Sequence, residues 1–381
     1  VLDVARKSRR PPGFNSGSHY RNNPIPALRL VESADTRKST QMPASSAIRA
    51  GGRPVQVSLH TSLVNSEGDR LSGLTVDVFG GTAVAVTSAL WLEQRREEVM
   101  AALRELPDID EVVWRRSDGR LQQDGWQSEK RAEDSEKRDH DAGSEQVEIR
   151  ESGLKFLVAP ALGQKSGYYC DQRDNRRLLA EVCKDRTVLD LFCYSGGFSI
   201  AAAAAGASKC VGVDSSAYAL DLAKQNAALN GLECEFLQAD VHRFLKASKD
   251  GHAGQQQQQH KASSSAGKGD GGGLQEQYDV VVCDPPKLAP SVKDLSRATR
   301  KYRELNGGAM RATKPGGLLL SCSCSAAMTQ SGGFVRMLHE AAQAEGRTLT
   351  ILRTSGAAPD HVIHPGAPEG AYLTAVLAHV A

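Results

Sequence analysis

The chain of 381 residues is long enough for two or three domains, each with its own core. Its 47 basic and 45 acidic side chains leave a net charge of only +2, which excludes binding of nucleic acid through overall charge. No apolar run is long enough to span a bilayer, so we expect no membrane association.

All eight cysteines lie at or after Cys170, and none has the paired C-x-x-C spacing of a zinc site. We therefore expect no metal and a reducing, intracellular compartment. The chain starts at Val1 and not at methionine, so two locations are open: the cytoplasm, or a plastid or mitochondrion reached through a targeting peptide.

Residues 50–127 are predicted to form a small α+β domain. Alternating apolar residues predict strands at 58–64, 74–79 and 82–88, and apolar residues at helical spacing predict one helix at 90–106, before Pro107.

Two later stretches are too polar to bury a core. Residues 128–146 are almost entirely charged or Ser, and residues 248–273 contain five consecutive glutamines followed by Ser and Gly. Both patterns predict solvated, disordered insertions without chemistry of their own.

From residue 147 onward, strands and helices alternate along the chain. This pattern predicts an α/β fold with a doubly wound, mostly parallel sheet, whose ligands lie beyond the carboxyl ends of the strands. The chain closes with an expected antiparallel pair at 348–353 and 372–379. The other predicted strands are 187–192, 209–213, 235–239, 278–283 and 317–321, with helices at 198–206, 217–230, 241–249 and 297–313.

Three carboxylates at three successive strand ends predict a donor pocket for S-adenosylmethionine. Asp190 suits the ammonium of the methionine moiety, Asp214 the ribose hydroxyls and Asp240 the adenine amino group. Any one of them could equally be a strand-end or helix cap. The predicted pocket is completed by Gly196 and Gly197, which let a ligand approach the backbone, and by Phe192, Ser195, Ser215, Val241 and Gln172.

The turn Asp284-Pro-Pro-Lys287 follows a valine-rich strand and predicts a surface that receives the polar hydrogens of a base. In enzymes that methylate exocyclic amines, an aromatic residue that stacks on the base usually follows the prolines. Lys287 stands there instead, which weakens that alternative.

Cys324, in Ser323-Cys324-Ser325, is the candidate nucleophile. Carbon 5 of a pyrimidine becomes reactive when a thiolate adds to carbon 6, and a target base must be unstacked to reach such a pocket. Cys322 has the same strand parity, but Cys324 lies further out, and a packing role is the alternative for both. The base that removes the carbon 5 proton is left open between Asp284 and a water.

Residues 163–177 hold a lysine and three arginines interleaved with two tyrosines, a composition suited to phosphates and stacked bases. The predicted contacts to substrate RNA are Lys165 and Arg173 in this segment, together with Lys287. A solvated helix start is the equally weighted alternative for the segment.

Taken in order, these motifs resemble the bacterial large-subunit ribosomal RNA cytosine-5 methyltransferases that combine a PUA domain with a Rossmann-like domain. The resemblance covers most of residues 147–381 and extends to residues 67–77 and 116–118. Residues 18–29 are similar to the end of the PUA domain, so residues 1–35 are predicted to be its remnant. It implies a class I methyltransferase fold, S-adenosylmethionine as donor, ribosomal RNA as partner and Cys324 as nucleophile. We expect most of the PUA domain to be missing from these residues, and Ala326 replaces the glycine usual after the cysteine motif.

The sequence thus predicts an enzyme that forms 5-methylcytosine in large-subunit ribosomal RNA. Two alternatives are an exocyclic-amine methyltransferase that uses the Asp284 turn without a nucleophile, and a catalytically inactive RNA-binding relative. The oligomeric state is open, with a homodimer as one alternative.

Overall fold

The computed structural model describes residues 60–126, 146–161, 163, 165–246, 276–289 and 292–381. The predicted PUA remnant at 1–35 and the insertion at 248–273 lie outside these ranges, as does the insertion at 128–146 apart from its last residue. No helix within the described ranges is long and apolar enough to cross a membrane. The predicted domain boundaries stay predictions.

The part before the first insertion contains a four-stranded sheet in the order β1-β2-β3-β4, as far as the chain is described. β1 to β3 are antiparallel, and β4 joins parallel to β3. β4 was not predicted from the sequence. The strands are β1 His60–Asn65, β2 Leu74–Phe79, β3 Thr82–Thr87 and β4 Glu111–Arg116.

The single helix predicted at 90–106 was wrong, because the structure has two helices: α1 Leu90–Gln94 and α2 Arg96–Arg104. The helix breaks at Arg95, whose backbone has φ −119° and ψ 23°. Both helices still bury their apolar face against the sheet, because Leu92, Val99 and Leu103 are at most 1% exposed. A short helix, α3, follows at Asp118–Gln123.

A β-hairpin, β5 Val147–Glu151 and β6 Leu154–Val158, connects the two larger units. Its Ile149 and Phe156 belong to a buried cluster that also holds Phe79 from the first sheet and Ile200 from the second unit. The hairpin therefore shares one apolar core with both neighbours.

The second unit is built on a seven-stranded sheet in the order β12-β13-β11-β10-β7-β8-β9, counted over the described ranges. The five strands from β11 to β9 are parallel, and β13 runs antiparallel between β11 and β12. This topology confirms the predicted class I methyltransferase fold. The strands are β7 Thr187–Leu191, β8 Lys209–Asp214, β9 Glu235–Gln238, β10 Tyr278–Cys283, β11 Thr313–Ser323, β12 Leu349–Ser355 and β13 Thr374–Val380.

Helices cover both faces of this sheet because the central strands are apolar on both sides. The helices are α4 Arg173–Ala180, α5 Gly197–Ala204, α6 Ala217–Leu229, α7 Leu295–Ala312, α8 Ala326–Gln330 and α9 Gly333–Ala344, and residues 241–246 are also helical. Val188 and Val280 pack on one face with α4 and α5, while Leu189 and Val281 pack on the other with α7 and α9. Because β7, β8, β10 and β11 are parallel, their carboxyl ends meet at one edge of the sheet.

Candidate active site

The loop after β7 is tightly wound. Phe192, Tyr194 and Gly196 all have positive φ, at 65°, 47° and 81°. A Cβ on Gly196 would lie 3.1 Å from the Ala223 Cβ and 3.1 Å from the Phe236 ring. Gly196 is therefore required by its backbone conformation and by packing beneath the loop.

Asp190 lies inside β7, immediately below this loop, and is 1% exposed. Its Oδ2 accepts hydrogen bonds from the Ser199 backbone N at 3.0 Å and from the Ser199 Oγ at 2.8 Å, which caps α5. Its buried Oδ1 has no hydrogen-bond partner among the described residues. Burial, with a smaller contribution from Asp214, raises the pKa of Asp190 to about 6. A buried carboxylate oxygen without a partner fits a cationic ligand group.

Asp214 and Asp240 both make backbone hydrogen bonds. The two Asp214 oxygens accept from the Tyr194 N at 3.0 Å and the Ser216 N at 2.9 Å, and an exposed Asp240 accepts from the Arg243 N at 2.9 Å. Both carboxylates therefore cap backbone N–H groups, as the alternative interpretation from the sequence expected. Their contacts to ribose and adenine stay predictions.

The remaining predicted donor-pocket residues differ in how accessible they are. Ser195 is buried and its carbonyl accepts a hydrogen bond from Asn226, whereas Ser215 is exposed. Val241 is 3% exposed and belongs to the core. Gln172 is 2% exposed and donates a hydrogen bond to Asp284, so its side chain is engaged with the other half of the site.

Asp284 and Cys324 are each the first residue after their strand. β10 and β11 are parallel neighbours in which Cys283 is opposite Ser321. The Asp284 Oδ2 accepts from the Gln172 Nε2 at 3.0 Å. Burial raises the pKa of Asp284 to about 7, helped by the nearby Asp171 carboxylate. Burial and the Asp284 charge raise the pKa of Cys324 to about 11. The two groups therefore interact electrostatically.

Only one of the two neighbouring cysteines is accessible at this edge. Cys322 is 0% exposed and packs in the core between β10 and β13, whereas Cys324 is partly exposed. The serines on both sides hold Cys324 in place. The Ser323 Oγ donates a hydrogen bond to the Tyr302 hydroxyl at 3.1 Å, and the Ser325 Oγ donates one to the Ala289 carbonyl at 2.8 Å. Sequence analysis missed Tyr302, which lies mid-helix in α7 with no local motif to mark it.

A charged cluster of an exposed lysine and a buried aspartate lies near the pair. The Lys165 Nζ is 2.5 Å from the Asp171 Oδ2 and 4.4 Å from the centre of the Tyr169 ring. The Asp171 Oδ2 also accepts a hydrogen bond from the Tyr372 hydroxyl at 2.7 Å. Burial raises the pKa of Asp171, but the Lys165 ammonium, the His361 charge and the Tyr372 hydrogen bond together outweigh it and bring this pKa to about 2. The Lys165 charge also lowers the pKa of Cys324. Lys165 is thus directed at the site.

The other two predicted RNA contacts differ from each other. Arg173 forms a bidentate pair with Asp360, with both N–O distances at 3.1 Å, and its side chain is 25% exposed. Lys287 is exposed, and its charge lowers the pKa of Cys324. Lys287 is therefore close to Cys324, while Arg173 joins α4 to the segment before β13.

No group of three or more His, Cys, Asp or Glu residues that could hold a metal ion occurs in the described part of the chain. The predicted donor pocket instead contains single carboxylates at separate strand ends, an arrangement that suits an organic ligand whose polar groups are spread along its length.

Comparison with known proteins agrees with this geometry. Residues 67–362 match the family model for S-adenosylmethionine-dependent methyltransferases. The chain is 36% identical over 315 residues to ribosomal RNA large subunit methyltransferase I of Aeromonas salmonicida (strain A449), covering 82% of this chain and 72% of that protein. The protein of the same name from Pseudoalteromonas atlantica is 34% identical over 322 residues, with 84% and 74% covered.

Among solved structures, SMU.776, a candidate methyltransferase in complex with SAH, superimposes with a TM-score of 0.70 at 22% identity, covering 93% of this chain and 80% of that one. A candidate SAM-dependent methyltransferase from Streptococcus mutans gives 0.69 at 21% identity, with the same coverage. These likenesses show the fold. On the strength of its family match and its relatives, the chain belongs to the S-adenosylmethionine-dependent methyltransferases, within the family of ribosomal RNA large subunit methyltransferase I.

Proposed function

We propose that this protein methylates large-subunit ribosomal RNA and forms 5-methylcytosine through a covalent adduct with Cys324. The observation that carries the proposal is the pairing of a partly exposed thiol with a carboxyl group at the ends of two neighbouring parallel strands. The substrate class follows from the relatives, which are named for the large-subunit RNA. Bound S-adenosylmethionine supplies an electrophilic methyl group.

Cys324 and Asp284 have different roles in activating the cytosine base. The proton of the Cys324 thiol passes to the Asp284 carboxylate, and the Cys324 Sγ then forms a bond to carbon 6 while Asp284 gives that proton to ring nitrogen 3. Carbon 5 thereby becomes an enamine carbon, which would take up the methyl group as the bond from that methyl to the donor sulfur breaks. A base then removes the carbon 5 proton, the bond between carbon 6 and Sγ breaks, and the nitrogen 3 proton returns to Asp284. Asp284 suits this role because its pKa of about 7 lets it hold or release a proton near neutral pH.

The same pair of groups predicts a pH profile. With pKa values of about 7 for Asp284 and about 11 for Cys324, a reactive form with one shared proton predominates between those values. The rate constant kcat/KM is expected to rise about tenfold per pH unit below about pH 7 and then to level off. Rates measured from pH 5.5 to 9 test this, and a profile that climbs throughout the range contradicts a shared proton.

Asp190 is proposed to hold the methionine ammonium of the donor through its unpartnered Oδ1. Asp190→Asn keeps the shape but removes the charge, and a charge-assisted hydrogen bond contributes about 1.5–3 kcal/mol. The Kd for S-adenosylmethionine, measured by calorimetric titration, is therefore expected to rise about 10- to 100-fold. Asp185→Asn, at an exposed position before β7, is the control. An unchanged Kd for Asp190→Asn contradicts the assignment.

The proposed product is tested by incubating the protein with large-subunit RNA and S-adenosylmethionine and mapping methylated nucleosides by mass spectrometry. A 5-methylcytosine that appears only with the donor supports the proposal. Methylation of an exocyclic amine supports the Asp284 turn acting without a nucleophile, and S-adenosylmethionine binding without methylation supports an inactive relative.

A further inference from the structure

Gln172 contacts the Asp284 carboxyl and Asn175 contacts Gln172, and both are almost fully buried, at 2% and 1% exposure. The Gln172 Nε2 donates to the Asp284 Oδ2 at 3.0 Å, and the Gln172 Oε1 accepts from the Asn175 Nδ2 at 2.6 Å. Gln172 directly precedes α4, and Asn175 lies in the first turn of that helix. The two amides thus form a chain of hydrogen bonds that ends on the proposed proton carrier.

The direction of this chain is set by a backbone carbonyl. The Asn175 Nδ2 also donates to the Gly356 carbonyl at 3.2 Å, and the Asn175 Oδ1 accepts from the Ser355 hydroxyl at 2.7 Å. A carbonyl oxygen can only accept, so the amide nitrogen of Asn175 must face Gly356. The same nitrogen faces Gln172, which must turn its oxygen toward Asn175 and its nitrogen toward Asp284.

We propose that Asn175 and Gln172 are positioning residues that orient the Asp284 carboxyl, with Oδ2 held as a hydrogen-bond acceptor and the transferable proton placed on Oδ1. Oδ1 makes no hydrogen bond to any residue in the described ranges, and Asp284 is partly exposed at the edge where Cys324 lies. The inference deepens the proposed function, on which the role of Asp284 as proton carrier rests.

The amide chain also has an energetic consequence. While Asn175 holds it, Gln172 can only donate, so it stabilises the charged carboxylate and opposes the effect of burial on the pKa of Asp284. If Gln172 were free to rotate, its oxygen could accept the proton of a neutral Asp284. Loss of Asn175 should therefore raise the pKa of Asp284 even though Asn175 does not touch Asp284.

The test is the titration of Asp284, followed by carbon NMR of the full chain labelled at the aspartate carboxyl carbon, with Asp284→Asn to assign the signal. Gln172→Leu and Asn175→Leu are neutral and similar in size to the residues they replace. Because a hydrogen bond to a charged group contributes about 1.5–3 kcal/mol, each is expected to raise the pKa of Asp284 by about one to two units. Asn230→Leu, which removes an amide that bridges backbone groups at the end of α6, should leave it unchanged.

Melting temperatures establish that each variant folds, and Asn175→Ala replaces Asn175→Leu if the latter does not. A higher pKa of Asp284 in both the Gln172 and the Asn175 variants supports the proposed chain of hydrogen bonds. A rise with Gln172→Leu alone overturns it, since Asn175 then does not orient Gln172, and no rise in either overturns it as well. The titration does not depend on turnover, so absence of 5-methylcytosine with the wild-type protein would count against the proposed function and not against this arrangement.

Discussion

Replacement of Cys324 by alanine is expected to abolish formation of 5-methylcytosine, with a loss in kcat of at least about 10³-fold, as is typical when a covalent nucleophile is removed. Without the Sγ atom no bond to carbon 6 forms, and carbon 5 stays too poor in electrons to take up the methyl group. Binding of S-adenosylmethionine should be unchanged. The measurement is single-turnover methylation of large-subunit RNA, read as 5-methylcytosine by mass spectrometry.

Cys322→Ala is the matched control because it removes the second thiol of the same strand. Cys322 is 0% exposed, so the substitution should cost roughly 1 kcal/mol of stability from lost packing and leave the rate near that of the wild type. Methylation that survives in Cys324→Ala would rule out the covalent route. If a folded Cys322→Ala variant lost methylation and Cys324→Ala did not, Cys322 and not Cys324 would be the nucleophile.

Arg176→Met is expected to destabilise the protein by about 3–5 kcal/mol, because it leaves the Glu151 carboxylate buried without its partner. The Arg176 Nε and Nη2 lie 2.6 Å from the two Glu151 oxygens, and both side chains are 4% exposed. His60 contacts the same carboxylate at 2.9 Å, so the group joins β1, the hairpin and α4. Urea unfolding at pH 7 measures the effect.

The pH dependence provides a second readout on the same variant. Burial raises the pKa of Glu151, but the charges and hydrogen bonds of Arg176 and His60 together outweigh it and bring the pKa to about 2, below the usual 4.5. The stability from this pair is therefore present above about pH 4.5 and is lost as the pH falls toward 2. The difference between wild type and Arg176→Met should shrink over that interval.

Arg177→Met is the control, since Arg177 is adjacent but 64% exposed and pairs only loosely with Asp174. An exposed pair of this kind contributes at most about 1 kcal/mol, so a small change is expected. If the two variants lose equal stability, the buried pair does not hold the units together.

The sheet could be predicted where its strands are apolar on both faces. β10 was predicted with its observed bounds, and β7 and β8 within one residue, because buried parallel strands form continuous apolar runs. The hairpin strand Val147–Glu151 was missed because three of its five residues are charged and it follows a charged stretch. One of the three, Glu151, is buried and paired with Arg176, which no local pattern reveals.

In the site, the sequence indicated the residues at strand ends but not their supports. Asp190, Asp284 and Cys324 follow from the topology, since the carboxyl ends of parallel strands share one edge. The contact of Asn175 with Ser355 joins residues 180 positions apart, and that of Gln172 with Asp284 joins residues 112 apart. Such contacts depend on how α4 packs against the sheet, which hydrophobic periodicity does not encode.

The covalent role of Cys324 is tested most directly with large-subunit RNA that carries 5-fluorocytidine. Fluorine at carbon 5 cannot leave as a proton does, so the adduct formed after methyl transfer should persist. We predict a stable complex that depends on S-adenosylmethionine, and digestion should locate the modified base on the peptide containing Cys324. Methylation of ordinary cytosine by a protein that forms no such complex, or an adduct on another residue, would contradict this account.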